Sequence, residues 1–485
     1  LTRPKRQASR LMAGPERDYR ILDKDLGRMS NAEQAALTLA RPRVRIGLAL
    51  VFIAAAAEIA ATVLAGQPAL GIVAAAVAIA IYLALSIGAN DVANALSPAV
   101  GAGAIGLTAG LWLVAVMDVA GAVIAGAPVT HTLAAGLIGD NLGRGSPTAL
   151  MMLAALASGA TWISVATWLD APISTTHSVV GAIAGAGMAT YGFGSVNWPA
   201  LGVVALGWLI SPVISGGLAA GLLASLHHHV LDRDDPLPTG RNWLTVIVAL
   251  AASILIGVAA LSYGGLGWPA VLGLTVGAGL LGGLYAHRVL GRQIRAGEKQ
   301  DKALKALLGL PLIVAAMVMG FAHGANDTST IAAPLSIVLA EVSHKNGPLL
   351  SLQAVMALSG LGIGVGILLF GGRLVHMVGS NITRLNPARS LCITLAAGIT
   401  VLGFSLAGLP VSTTHIAVGG VFGVGFWREY RDRRQSRRRA PLPDEELGRR
   451  HLVRRSYMRT ILGAWLITVP ANAALAALLV LILQL

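Results

Sequence analysis

The chain has 485 residues, of which 55% are hydrophobic and only 12% charged, with a net charge of +14. A soluble globular chain carries about 25% charged residues, so the composition excludes a string of soluble domains and predicts one polytopic bundle, each span needing about 20 apolar residues. The positive charge is confined to three stretches beside apolar runs, +6 in residues 1–46, +4 in 288–305 and +7 in 428–459, which is the positive-inside pattern of cytoplasmic segments rather than the basic face of a nucleic-acid binder.

In chain order, residues 1–46 read as a basic cytoplasmic tail rather than a cleaved leader. Apolar stretches predict spans near 47–66, 71–99, 105–126, 147–170, 199–226, 243–264, 268–288, 306–340, 349–371, 388–409 and 460–484. Two shorter Gly-rich pieces, near 172–190 and 411–427, begin at Pro and read as hairpins or half-helices. Together these give about 11–13 spans. Between the halves lie His227, His228, His229, Asp232, Asp234 and Asp235, with Pro236 and Pro238. A metal site is one reading of them, and a solvated polar loop is the expectation. The lone Cys392 excludes an intrachain disulfide.

An internal repeat organises the chain. Ser86-Ile-Gly-Ala-Asn90-Asp91 returns 236 residues later as Ala322-His-Gly-Ala-Asn326-Asp327. Pro172-Ile-Ser174-Thr175-Thr176-His177 returns 238 residues later as Pro410-Val-Ser412-Thr413-Thr414-His415. A weaker echo pairs Val129-Thr130-His131 with Leu374-Val375-His376, 245 residues apart. The basic tail precedes the extra span 47–66, so the first copy enters from outside, whereas the basic loop 288–305 directly precedes the second copy, which enters from inside. The prediction is therefore an all-α polytopic membrane protein with an inverted-repeat helical bundle and two half-helix or hairpin elements. The expected divisions are the tail 1–46, an extra span 47–66, repeat 1 at 71–226 and a linker with two spans and a basic loop at 227–305. Repeat 2 at 306–427, a basic loop at 428–459 and a final span at 460–484 follow.

A carboxylate within an apolar span is costly unless it faces a cavity or a partner. Asp91 and Asn94 are three apart and share a helical face. Gly88 would permit a break that frees backbone carbonyls. Carboxylate, amide and carbonyl oxygens together suit a hard cation or a proton relay, so Asn90, Asp91, Asn326, Asp327 and the mid-span Asp118 are candidates for a coupling-cation site. In Pro-x-Ser-Thr-Thr-His, Pro stops one element and Ser or Thr caps the next. A half-helix beginning there aims free N–H groups and its positive dipole end at one point, which suits a tetrahedral oxyanion. In a single copy, the hydroxyls are better explained by bonds to carbonyls one turn back. The Pro, the glycines that follow and the duplication favour binding. His177 and His415 either orient hydroxyls, carry a proton or fill a packed niche. A bare anion beside two carboxylates is repelled by about 4 kcal/mol per pair at 4 Å and an effective dielectric of 20. A cation lodged between them reverses that sign, so anion and cation bind well only together.

At these residues the sequence resembles the inorganic phosphate transporter family. The matching segments are Gly88 to Asn94, the two Ser-Thr-Thr-His motifs and Arg373 to Pro387. The resemblance spans roughly residues 71–484. It implies an inverted-repeat fold that holds inorganic phosphate between its halves in a cytoplasmic membrane. It also implies symport with Na⁺ or H⁺ and, in some members, phosphate carried as a metal complex. Carried across by motif, Ser174, Thr175, Thr176, Ser412, Thr413, Thr414 and Asn94 would hold phosphate, with Asn90, Asp91, Asn326, Asp327 and Asp118 serving the cation. No catalytic residue, resident metal or cofactor is expected, and homo-oligomerisation is left open. Thr330 stands where the family has a second amide, Asp118 where it has Glu, and Met377 where Thr is common. The nearest alternative is a sulfate permease of the same fold, with a passive channel beyond it. A membrane-embedded hydrolase or phosphotransferase is disfavoured, because an enzyme needs an asymmetric set of groups and these are duplicated.

Overall fold

The computed structural model describes residues 43–63, 70–138, 146–169, 173–295, 300–343, 349–381, 386–436 and 455–484. The basic tail up to residue 42, Pro172 and the stretch 437–454 of the second basic loop lie outside them. Residues 43–52 fall in one unit and Ile53–Leu485 in another; the second carries everything from Leu70 onward.

Among the described residues there is no strand, only one isolated bridge between Ile138 and Val196. Eleven helical runs there are long and apolar enough to cross a membrane, one for each predicted stretch. The first is α1 (Arg43–Val63). Repeat 1 then holds α2 (Leu70–Gly101), α3 (Leu107–Ala125), α4 (Ala127–Ala135), α5 (Ser146–Trp168), α6 (Thr175–Tyr191) and α7 (Trp198–Leu226). A hairpin of α8 (Pro236–Ser262) and α9 (Trp268–Arg295) follows, then α10 (Gln300–Leu307). Repeat 2 holds α11 (Gly309–Asp327), α12 (Ser329–Val342), α13 (Leu352–Asn381), α14 (Pro387–Leu406), α15 (Thr413–Ser436) and α16 (Arg455–Leu483). Local rules set several starts. Asn197 caps α7 by accepting from Ala200 N at 3.2 Å, and Asn386 caps α14 by accepting from Ala388 N at 3.0 Å. Each is followed within two residues by Pro, whose fixed φ suits the first helical turn.

The packing of the repeats is crossed. Helix α2 packs on α13 as α11 packs on α3; α6 packs on α16 as α15 packs on α7; α5 packs on α16 as α14 packs on α7. Two copies related by a two-fold axis produce this pairing. Its register is set by glycines that let backbones touch. A side chain at Gly88 would meet the Ile363 carbonyl, and one at Gly324 the Asp118 carbonyl. Gly121 lies against the Phe321 carbonyl, and Gly366 against that of Leu85. These contacts carry the two offsets of 236 and 245 read from the motifs, so the spacing of the weak echo between His131 on α4 and His376 on α13 is the one that relates α3 to α13. Likewise Gly181 and Gly185 of α6 meet the Val469 and Ala473 carbonyls, and Gly419 and Gly423 of α15 meet those of Pro212 and Gly216. This adds a third matched helix pair, α7 with α16, at an offset of 257 that no sequence motif displays. In that register Trp208 and Trp465 correspond.

Several expectations change. Helix α2 runs unbroken through Gly88, which serves the close approach to α13 rather than a break. The run 306–340 is divided, with α11 ending at Asp327 and α12 starting at Ser329. The linker is a shorter solvated loop than expected, an exposed turn at residues 232–235. His227–Leu231 continues α7 as a π turn and α8 begins at Pro236. There His227 Nδ1 lies 3.2 Å from Asp232 Oδ1, and Arg431 pairs with Asp232 at 2.8 Å and bonds His227. Arg431 also lies over the Trp427 ring, 5.5 Å from its centroid. These contacts explain why α15 extends through Ser436 into what the charge pattern marks as a loop.

Candidate functional site

The site forms where α2, α3 and α11 meet the N-terminal ends of α6 and α15. Because Gly324 lets α11 close on the Asp118 backbone, His323, one residue earlier, reaches the Asp118 carboxylate through Nδ1. Its other nitrogen, Nε2, lies 2.8 Å from Asp327 Oδ2 and 3.9 Å from Asp91 Oδ2. The shorter of these is an ion-pair approach that is not aligned as a hydrogen bond. Asp91, Asp118 and Asp327 are 2%, 0% and 0% exposed. Three carboxylates thus surround one imidazole out of reach of water. Among the described residues, Asp91, His323 and Asp327 are also the one group of His and acidic side chains spaced to hold a metal ion, their ligand atoms within 4.8 Å of one another.

The half-helices dock on these carboxylates in matching fashion. Thr175 Oγ1 donates to Asp91 Oδ2 at 2.9 Å, and Thr413 Oγ1 donates to Asp327 Oδ2 at 3.3 Å. Ser174 caps α6 by accepting from His177 N at 3.2 Å. Ser412 caps α15 by accepting from His415 N at 3.3 Å. Each cap oxygen accepts, which leaves its O–H to donate elsewhere. Two helix N-termini, each carrying partial positive charge, therefore converge on a cluster of negative charge. Replacing Ser412 by Ala removes one cap, worth about 1 kcal/mol. The expected result is a fall in melting temperature of about a degree or two, as this loss implies for so long a chain.

Other candidates are placed less symmetrically. Asn94 Nδ2 donates to Thr414 Oγ1 at 3.0 Å. Thr330, its counterpart, turns back to the Asp327 carbonyl at 2.7 Å. Thr176 donates to the Val411 carbonyl at 2.9 Å. Asn326 grips the same residue twice: Nδ2 donates to Val411 O at 2.6 Å and Oδ1 accepts from Val411 N at 3.1 Å. Asn90 is buried with its Nδ2 unpartnered. His177 and His415 meet edge to face, ring centroids 4.4 Å apart. His177 also lies 3.8 Å from the Trp208 ring, and neither of its nitrogens has a hydrogen-bond partner, so it orients no hydroxyl in this conformation. The central residue that the motifs do not single out is His323. Its signal is present in the sequence, since the first copy carries the apolar Ile87 at that position.

Three comparisons bear on this geometry. A profile of the phosphate transporter family matches residues 87–476. A protein of Helicobacter pylori strain J99 that carries a phosphate permease name is 34% identical, over 92% of this chain and 96% of its own length. The chloroplastic inorganic phosphate transporter 2-1 of Arabidopsis thaliana is 30% identical, over 82% of this chain and 70% of its own. A solved structure described as "The sodium-dependent phosphate transporter" superposes with a TM-score of 0.77 at 28% identity, covering 85% of this chain and 99% of that one.

Proposed function

The chain belongs to the phosphate transporter family, and from that premise we propose that it carries inorganic phosphate across the cytoplasmic membrane in symport with a cation. It is a multi-pass membrane protein of a transporter family rather than an enzyme. The observation that supports coupling is the doubled contact of half-helix hydroxyl on carboxylate, Thr175 on Asp91 and Thr413 on Asp327. Phosphate held by the N–H groups and hydroxyls of residues 174–176 and 412–414 lies next to both carboxylates. Each approach at 4 Å costs about 4 kcal/mol at an effective dielectric of 20. A cation between Asp91 and Asp327 turns this repulsion into attraction, so each ligand strengthens the other by the same factor.

Na⁺ is the first candidate for that cation, in line with the sodium dependence named for the similar solved structure. A proton is the second reading, favoured by one feature, the imidazole of His323 lying among the three carboxylates. Uptake of labelled phosphate into proteoliposomes, with Na⁺ and pH gradients imposed one at a time, tests the proposal. A Na⁺ gradient alone driving accumulation selects the first reading, and a pH gradient alone selects the second. Uptake indifferent to both gradients removes the symport. Competition by excess sulfate distinguishes the anion, and uptake lost on adding EDTA would mean that phosphate travels as a metal complex.

A further inference from the structure

The two repeats are built alike but are not in the same state. In repeat 2 the chain entering α15 is pinned by three side chains. Trp208 Nε1 donates to the Pro410 carbonyl at 3.1 Å, Thr176 donates to Val411 O, and Asn326 takes both the N–H and the C=O of Val411. The residue equivalent to Val411 in repeat 1 is Ile173, and the residue equivalent to Asn326 is Asn90. Both are buried, Ile173 at 5% and Asn90 at 7% exposure. Yet among the described residues no hydrogen bond reaches the backbone of Ile173, and Asn90 Nδ2 has no partner. Thr414, the counterpart of Thr176, is likewise engaged with Asn94 instead of Ile173. A buried amide donor without an acceptor is unfavourable. The group that its twin holds corresponds to Ile173 at the entry to α6, where Thr175 bonds Asp91, the residue after Asn90.

We propose that Asn90 and Asn326 are alternating clamps on the entries of the two half-helices. In the conformation seen here Asn326 holds Val411 and Asn90 is released; in the opposite-facing conformation Asn90 holds Ile173 and Asn326 is released. The inference rests on the transport reading and adds to it the residues that set which half-helix is anchored. The physical argument is exchange. A transporter made of two equivalent units reaches its other state when each unit adopts the conformation of its twin. The two-bond clamp then moves from one entry to the other, so the number of satisfied amide groups stays constant. Each Asn thereby favours one conformation only, and its removal biases the population toward the other.

Hydrogen exchange of the full-length protein in nanodiscs, followed by mass spectrometry without phosphate or ion gradients, tests this. The Val411 N–H is itself a clamped group, and the Ile173 N–H is its counterpart. Asn326→Ala is expected to speed exchange in peptides covering 409–414 by about tenfold and to slow it in those covering 173–176. Asn90→Ala is expected to do the reverse, slowing exchange at 409–414 below the wild-type rate. Asn90→Ala that speeds exchange at 409–414, or leaves it unchanged, overturns the proposal. A variant that has lost its fold speeds exchange throughout α2 and α13 as well, and Asn90→Ser is then read by the same criterion. Because the readout needs no transport, a failed phosphate assignment leaves the exchange result intact.

Discussion

Asp91→Asn abolishes coupled phosphate uptake in proteoliposomes, lowering it by at least about a hundredfold, an effect of about 2.7 kcal/mol, while the protein folds and purifies as before. The amide has the shape of the carboxylate and retains one oxygen for the Thr175 hydroxyl that Asp91 now accepts at 2.9 Å, so the docking of α6 survives. What disappears is the negative charge that, in the proposed mechanism, retains a cation beside the anion together with Asp327. Binding shows this separately from flux. Phosphate affinity in the variant should no longer depend on Na⁺ or on pH, whichever drives the wild type. Asp327→Asn should behave alike, with a larger loss of stability, since Asp327 also accepts from Asn326 Nδ2 at 2.6 Å. Undiminished uptake by Asp91→Asn would remove the carboxylate pair from the mechanism.

The second large effect concerns stability. His323→Leu takes away the one group that faces Asp118, Asp327 and Asp91 together. Asp118 is then fully buried with no compensating partner, a loss of about 3–5 kcal/mol for a broken interior pair. The measurement is the melting temperature in detergent, which should fall markedly and take transport with it. The double variant with Asp118→Leu should regain most of the lost stability while remaining inactive, because the unpaired interior charge has been removed but the site has not been restored. A double variant that melts as low as the single one would show that His323 supports the fold by packing alone.

Much of the site is legible in the sequence. Asp91, Asp327 and the two Ser-Thr-Thr segments stand out because polar groups in apolar spans are expensive and here each occurs twice. Asp118 stands out for the same reason. His323 is marked by its difference from the apolar Ile87 of the first copy, yet a lone histidine declares neither its partners nor its role until Asp118 and Asp327 are placed around it. In the linker, charge and proline mark the exposed turn at residues 232–235. They do not reveal that Arg431, 199 residues beyond Asp232, returns to pair with it. The break expected at Gly88 is absent on similar grounds. A glycine in a membrane helix serves either a kink or a close contact, and only the position of Ile363 opposite it decides between them.

Composition, charge placement and duplicated motifs by themselves determined that this chain is a helical membrane bundle, that it contains two equivalent halves and which polar residues belong together in kind. These are one-dimensional properties, set by the cost of burying charge and by the length of an apolar span. The tertiary structure decided that the halves pair crosswise, that glycine contacts match α7 to α16, and that one imidazole lies among three carboxylates. It also decided that Asn326 grips the entry to one half-helix while its counterpart Asn90 keeps an unpartnered Nδ2. Each of these depends on which backbones approach one another. That approach is a cooperative outcome of packing between segments far apart in the chain, and no local pattern encodes it.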